Sequence, residues 1–402
     1  MWLTDLRLVL PDGIIDRGAL RLEADKIAEI VEGNAPEPGI ALPGMMALPG
    51  LIDLHGDMLE RDIEPRPGAR FPIDLALYEL DKRLAATGIT TAFAAVSFAW
   101  TKDDLRSQEK AQEIIEIINA RQAELLVDMR VHARFEITNP NTAPILERLL
   151  DAGLVDLVSL MDHTPGQGQY KNIKKYVDFM TRWLGFQPEA VGEDLIQRVE
   201  QGVEVEATKP RDWSIVREVV EIARSRHVPI ASHDDDTVEK VEQMAAFGVT
   251  ISEFPVSEAA ARHARHEGMH VLMGAPNAYR GESTSGNLSA MDAIRGGMVD
   301  VLATDYFPAA MLHSAFRLAE RGVMSLVESV KLVSQNAAAA VDLNDRGRLE
   351  TGLNADIVLV ENNPQASEHP RVRGTLRDGV FIYQDAVMAH LTRNWPLSIA
   401  RE

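Results

Sequence analysis

The sequence predicts a (β/α)8 barrel joined to a small β-sandwich domain formed from both chain ends. Three observations predict it. Short alternating strands punctuated by turns fill the first 45 residues and return near the C-terminus. Between them, eight short apolar runs alternate with helical segments over roughly 290 residues, which is what such a barrel requires. Five of those runs end in a His, Asp or Glu facing one way.

The expected small domain takes residues 1–48 and 345–402. In "LRLVLPDGIIDRGALRLEADKIAEIVEG", "PDG" and "EADK" read as hairpin turns between short strands. The same texture returns in "RGRLETGLNADIVLVENN" and "RGTLRDGVFIYQDAV". The expected barrel takes residues 49–344. Its strand-like runs are "LIDLH", "TTAFAAVSF", "MRVHARFE", "DLVSLMDH", "PIASH", "TISEFP", "HVLMGAPN" and "DVLATDY". Helical segments separate most of them. One carries Ile114, Ile115, Ile118 and Leu125 at helical spacing, another Ile215, Val216, Val219, Val220 and Ile222. A doubly wound open sheet competes, and strand count alone leaves it open. The stretch from Thr164 to His227 is unusually long and reads helical, with a basic patch "YKNIKKY". A lid and simple decoration of the barrel fit it equally.

Composition narrows the function. Of 402 residues, 46% are hydrophobic and 25% charged, as in a soluble globular protein. Cys is absent, which excludes disulfides and thiolate metal sites and suits a cytoplasmic location. The N-terminus shows no basic segment leading into an apolar one, so no signal peptide is expected. No apolar run reaches the ~18 residues of a membrane span. The formal charge of -20 argues against nucleic acid as a partner. A small anionic phosphorylated substrate remains compatible, because a local Arg cluster can bind phosphate within an acidic protein. A homo-oligomer is the expected assembly.

Strand alternation then gathers a site. A barrel strand should turn polar residues inward and branched apolar residues out toward the helices. Asp53, His55 and Asp57 would then face inward, with Ile52 and Leu54 outward. By the same rule Glu136, His163, His233 and Asp305 each end a strand-like run facing the mouth, where barrels place their chemistry. His132 and Arg134 share a face with Glu136, and His132 reads as a buried polar residue. One such residue alone is more often a loop cap than a ligand. Together, three His and three carboxylates suit Zn²⁺, with Mn²⁺ or Fe²⁺ as alternatives. Six ligands exceed the needs of one ion and fit two divalent ions about 3.5–4 Å apart.

Other candidates are weaker. His263, His266 and His270 read as the solvated face of a helix. Asp234 to Asp236 read as a cap for the following helix. The loop "GAPNAYRGESTSGN", residues 274–287, offers Asn277, Arg280, Ser285 and Asn287 for an anion site, although a plain flexible loop explains its composition equally. Arg66 and Arg70 lie in "RDIEPRPGAR" at the same mouth, and ordinary surface Arg is the competing reading.

"LPGLIDLHGD" resembles the Pro-Gly-X-Ile-Asp-X-His signature of the amidohydrolase superfamily, and "GRLETGLNADIVLV" resembles its return into the small domain. Within it, "VSLMDHTPGQGQY", "ASHDDDT", "SEFPVSEAA", "VLMGAPNAYRG" and "TDYFPAAML" resemble the diphosphatase family acting on α-D-ribose 1-methylphosphonate 5-triphosphate in phosphonate degradation. The resemblance implies a hydrolase that releases pyrophosphate. It implies His55, Asp57, Glu136, His163, His233 and Asp305 as metal ligands, with Glu136 bridging and Asp305 as general base and then acid. Arg66, Arg70 and Arg280 would neutralise the polyphosphate. The chain departs from the family at Glu282 and Thr284, where relatives tend to have Gly and His. An amidohydrolase cleaving an amide or cyclic amide, deacetylase-like or dihydroorotase-like, is the alternative. A barrel without metals, serving in assembly, would show broken ligands.

Overall fold

The computed structural model describes residues 1–66, 68–98, 105–164, 168, 211–283, 286–363, 367, 369–393 and 395. Most of the long insertion after Thr164, including "YKNIKKY", lies outside the described residues, as do Thr284 and Ser285.

The chain opens with β1 (Trp2–Leu10), β2 (Gly13–Glu23), β3 (Lys26–Glu32), β4 (Ile40–Ala41) and β5 (Met45–Pro49). The barrel strands follow: β6 (Leu51–Gly56), β7 (Ile89–Phe98), β8 (Asp128–Glu136), β9 (Leu157–Met161), β10 (Ile230–His233), β11 (Ile251–Glu253), β12 (His270–Gly274) and β13 (Val301–Ala303). The chain then returns through β14 (Ile357–Glu361), β15 (Arg371–Arg377) and β16 (Val380–Gln384).

The end strands form one mixed sheet in the order β16-β15-β14-β5-β1-β2-β3, with β4 pairing β1. Pro11–Asp12 and Ala24–Asp25 make the two N-terminal hairpin turns. The sheet closes over a single apolar core of Leu3, Leu6, Leu8, Leu20, Ile27, Ile357, Leu359 and Leu376. Residues from both chain ends meet there, so neither end can bury its apolar face alone. Between β5 and β6 the chain passes from this sheet into the barrel at Gly50. A Cβ at Gly50 would lie 2.3 Å from Thr90 Oγ1, so only glycine lets the two sheets approach this closely.

Strands β6 to β13 form a parallel sheet in sequential order, and a bridge between Gly56 and Asp305 joins its first and last strands. Helices cover the outside. The helix Gln108–Arg121 starts where Ser107 Oγ accepts from Lys110 N and buries Ile114, Ile115 and Ile118 against the barrel. It stops at Arg121; a 3₁₀ turn over Gln122–Glu124 follows, so Leu125 is buried from the loop rather than from the helix. The helix Trp213–Ser225 buries Val216, Val219 and Val220.

The simple alternation expected for the first barrel strand fails. Ile52 and Leu54 pack in one cluster with Phe93, Leu157, Ala231, Ile251, Leu272 and Val301 at the base of the barrel. Asp53 instead accepts from Thr304 N and Thr304 Oγ1 and from His55 N. The β6–β7 pairing shifts register twice, between Leu51 and Ile52 and between Asp53 and Gly56, so a single two-residue period does not run through the strand to His55. Ala337 and Ala338 belong to the same cluster, and partly buried Leu343 packs against it.

Three further expectations change. Residues 274–287 are not one loop: Ala275–Arg280 is a helix, begun by Gly274 and Pro276 and ended by Gly281 at φ 84. Asp234 to Asp236 do not cap the following helix; Thr237 does, its side chain accepting from Lys240 N. His270 begins β12, while His263 and His266 lie on the helix Glu258–His266.

Candidate metal centre

The strand ends of the barrel converge on one cavity lined by His55, Asp57, Arg134, His233, Asp234, Asn277, Asn287 and Asp305, among others. Backbone pairing at the closing seam sets two of its carboxylates side by side. Asp57 N donates to Asp305 O at 2.7 Å, and Asp305 N donates to His55 O at 2.9 Å. Three non-glycine residues just past strand ends adopt left-handed backbone: Asp234 at φ 54, Phe254 at φ 52 and Asp305 at φ 55. Such conformations are costly and concentrate where a site holds them.

His55 is the centre of an inner cluster. Its Nδ1 lies 3.2 Å from Glu253 Oε1, and its Nε2 lies 3.4 Å from Asp57 Oδ1. Ser159 Oγ donates to the other Glu253 oxygen at 2.8 Å. His132 Nε2 stands 3.7 Å from Glu253 Oε1, and its ring meets that of His55 edge to face at 5.0 Å. Burial alone would lower the His55 pKa, but the Glu253 and Asp57 carboxylates override it and hold it at about 10. Burial pushes His132 down to about 3, so that ring is neutral.

A second cluster lies beside the first. His163 Nδ1 lies 3.0 Å from Glu136 Oε2, and Thr138 Oγ1 donates to Glu136 Oε1 at 3.0 Å. The rings of His163 and His233 are 5.5 Å apart, and those of His55 and His233 5.6 Å. His233 Nδ1 is 3.2 Å from Asp234 Oδ2. Arg134 crosses between the clusters: Nη1 donates to Asp57 Oδ1 at 2.8 Å, and Nη2 lies 3.5 Å from His233 Nε2. Burial, then repulsion from Asp57, raises the Asp305 carboxyl to about 6.

The donors fit divalent metal. Ligand atoms of His55, His132 and Glu253 lie within 4.8 Å of one another, as do those of His163, His233 and Asp234. Among the described residues, both ring nitrogens of His132 are buried without a hydrogen-bond partner, and His233 Nδ1 and Asp234 Oδ2, 3.2 Å apart, make no hydrogen bond of good geometry. Buried polar atoms left so are costly unless something binds them. Imidazole and carboxylate donors without thiolates match borderline-to-hard ions. Glu253 also has a supporting geometry: a carboxylate on Nδ1 fixes the ring and turns Nε2 toward a metal.

Glu253, Asp234 and Arg134 were not among the expected site residues. Glu253 ends β11 two residues after inward Ile251, so alternation reaches it. The other expected residues divide. Asn277 and Asn287 line the cavity, with Asn277 Oδ1 accepting from Ala290 N at 3.1 Å. Ser283 lines it also, while Ser285 lies outside the described residues. Arg66 and Arg70 are exposed, and Arg70 Nε donates to Glu64 at 2.6 Å. Arg280 Nη2 donates to Glu282 Oε1 at 3.0 Å, so the unexpected carboxylate is engaged by an arginine. None of these three Arg lines the central cavity. His263, His266 and Glu267 form a further group of potential ligands on the helix surface, where the His266 side chain is 80% exposed.

Known proteins agree with this architecture. A family model described as "Amidohydrolase family" matches residues 76–383. Over 390 residues the chain is 35% identical to the alpha-D-ribose 1-methylphosphonate 5-triphosphate diphosphatase of Escherichia coli (strain K12), covering 95% of this chain and 100% of that protein. Among solved structures, dihydropyrimidinase from Brevibacillus agri NCHU1002 superposes with a TM-score of 0.62 at 13% identity, over 95% of each chain. N-acetylglucosamine-6-phosphate deacetylase from Thermotoga maritima gives 0.58 at 16% identity, over 96% of this chain and 100% of that one. At such identities the two structures share the fold and nothing further.

Proposed function

The chain belongs to the amidohydrolase family, and we propose that it hydrolyses α-D-ribose 1-methylphosphonate 5-triphosphate in phosphonate catabolism. Water would be added across one phosphoanhydride bond, giving the ribosyl 5-phosphate and pyrophosphate. The observation that carries this reading is the 35% identity to a diphosphatase matched along its whole length. The cavity supports it, because one Arg and several amide and hydroxyl donors share it with the metal-type ligands.

His55, Asp57, Glu136, His163, His233 and Asp305 are the residues we assign to two divalent cations, Zn²⁺ first, with Mn²⁺ or Fe²⁺ as alternatives. Bound there, such ions supply Lewis acidity and lower the pKa of water. The remaining work belongs to the chain. Glu253 holds the His55 ring through Nδ1 and leaves Nε2 toward Asp57. Asp305, fixed beside Asp57 by the seam hydrogen bonds, takes the proton of the attacking water and returns it to the leaving group. Asn277, Ser283 and Asn287 supply donors along the wall where phosphoryl oxygens would lie. Asp234, beside His233, is a further candidate ligand.

No helix among the described residues is long and apolar enough to cross a membrane. The absence of Cys and the phosphorylated substrate support a cytoplasmic enzyme. A homo-oligomer is part of the same reading, to be checked by sedimentation.

The test is direct. Metal-loaded protein is incubated with the triphosphate and followed by ³¹P NMR. Pyrophosphate should appear in step with the ribosyl 5-phosphate. Inert triphosphate, with turnover of N-acyl amino acids or cyclic amides instead, would replace this reading with the amide-cleaving one.

A further inference from the structure

Arg134 lies on β8 two residues before Glu136, and alternation turns both into the barrel. It is 6% exposed. Among the described residues lining the central cavity, it is the one Lys or Arg. Burying a guanidinium is costly unless it is well paired. Here the pairing is partial. Asp57 Oδ1 is a strong acceptor at 2.8 Å, but the other neighbours are the Met161 thioether, 3.1 Å from Nε, and His233 Nε2, 3.5 Å from Nη2. A thioether is a weak acceptor, and 3.5 Å is at the limit of a hydrogen bond. A guanidinium has five N–H donors, so this one keeps capacity for an anion.

We propose that Arg134 binds a phosphoryl oxygen of the substrate inside the cavity and is the residue that makes this barrel selective for a phosphoanhydride. This rests on the diphosphatase reading above and deepens it. Metal ligands do not by themselves choose between substrates, because the same ions polarise a carbonyl or a phosphoryl oxygen. A guanidinium does choose. It meets two oxygens of a phosphoryl group through parallel N–H donors, while a neutral amide offers no matching charge. The three exposed arginines are poorer candidates for this contact, since Arg70 and Arg280 are engaged by Glu64 and Glu282 and none lines the cavity.

The probe is imidodiphosphate, a non-hydrolysed pyrophosphate analogue, titrated calorimetrically into metal-loaded wild type, Arg134→Gln and Arg134→Lys, with metal content measured on each sample. Losing a charge-assisted contact should weaken binding about 10- to 100-fold in the Gln variant. The Lys variant should lie between, because it keeps the charge without the fork. Metal content should stay at the wild-type level. Unchanged affinity in both variants would overturn the proposal. So would weakened binding that follows an equal loss of metal, which would make Arg134 only a support for Asp57. If the Gln variant does not fold, the Lys variant carries the test, and wild-type affinity there overturns the proposal equally. The two readings fail separately. A wild type that cleaves the triphosphate while the variants bind normally sinks only the role of Arg134. A wild type inert to the triphosphate that still binds imidodiphosphate through Arg134 sinks only the substrate.

Discussion

Glu253 Oε1 lies 3.2 Å from His55 Nδ1, and the other Glu253 oxygen accepts from Ser159. Three strands that are not neighbours in the barrel wall, β6, β9 and β11, thus meet inside it to fix the orientation of one imidazole. A carboxylate placed there sets the ring and leaves the opposite nitrogen facing Asp57. Removing such a partner typically costs 10- to 100-fold in metal affinity. Glu253→Gln should therefore surrender metal to a chelator about 10- to 100-fold more readily than wild type. Identical chelator titrations would reduce Glu253 to a buried packing residue.

The site should also hold two ions. In the assignment proposed above, His55, Asp57 and Asp305 would serve one ion and Glu136, His163 and His233 the other. Elemental analysis of protein purified without chelator should approach two divalent ions per chain. A fully active protein with one ion would mean that Arg134, between Asp57 and His233, takes the second place as a fixed charge.

Much of this was legible in the sequence because parallel barrel strands repeat one rule. Their alternate residues face inward and their last residues face the mouth, which is enough to bring His55, His163, His233 and Asp305 to a common end. The rule fails where one residue is added. The β6–β7 pairing shifts register twice, between Leu51 and Ile52 and between Asp53 and Gly56; Ile52 and Leu54 pack inside the barrel while Asp53 meets Thr304, and two-residue periodicity has no means of registering such shifts. Glu253 escapes for another reason. Its strand is three residues long, Ile-Ser-Glu, so alternation places Glu253 on the face of Ile251 but rests on a single inward residue before it. Asp234 faces His233 through a left-handed backbone turn, which is neither strand nor helix. Arg66, Arg70 and Arg280 are exposed and outside the lining of the central cavity, which their place in the sequence does not reveal.

Asp305→Asn should lose catalysis far more than metal. Asp305 is pinned beside Asp57 by the seam hydrogen bonds and faces the cavity. Loss of a positioned proton acceptor costs about 10²–10⁴-fold in rate. Steady-state turnover and metal content on the same sample check this. Near-normal turnover with full metal would assign the proton to another group.

Asp356 gives the fold a pH dependence away from the site. It is 3% exposed; Oδ1 accepts from Asp378 N at 2.9 Å, while Oδ2 has no hydrogen-bond partner among the described residues. Burial raises its carboxyl from 3.8 to about 6, and Arg346 only partly opposes this. Because the folded pKa lies above the unfolded one, the folded state binds the extra proton between these values. The penalty is absent below about pH 3.8 and complete above about pH 6. Asp356→Asn should therefore gain on wild type as pH rises from 4.5 to 7.5, by about 2–3 kcal/mol at most. Urea midpoints of both proteins at the two pH values test it. A constant difference would mean that Asp356 keeps an ordinary pKa.

The last prediction concerns which phosphorus is attacked. A ribosyl triphosphate offers two anhydride bonds. Of the assigned ligands, His55, Asp57, His233 and Asp305 line one cavity together with Arg134, so nucleophile and attacked phosphoryl group are expected to meet there. If that group is the phosphoryl nearest the sugar, the outer two phosphates leave together as a stable, charge-delocalised pyrophosphate. Attack at the terminal phosphorus would instead release orthophosphate and leave a sugar diphosphate. Hydrolysis in ¹⁸O-water separates these cases. Attack nearest the sugar places label in the ribosyl 5-phosphate and leaves pyrophosphate unlabelled. Label in pyrophosphate would mean that water attacks the middle phosphorus, with the sugar phosphate as leaving group. Orthophosphate as the first product would move the attack to the terminal phosphorus. Either result would require the substrate to sit in another register, and the role assigned to Asp305 toward a pyrophosphate leaving group would then fail in its second half.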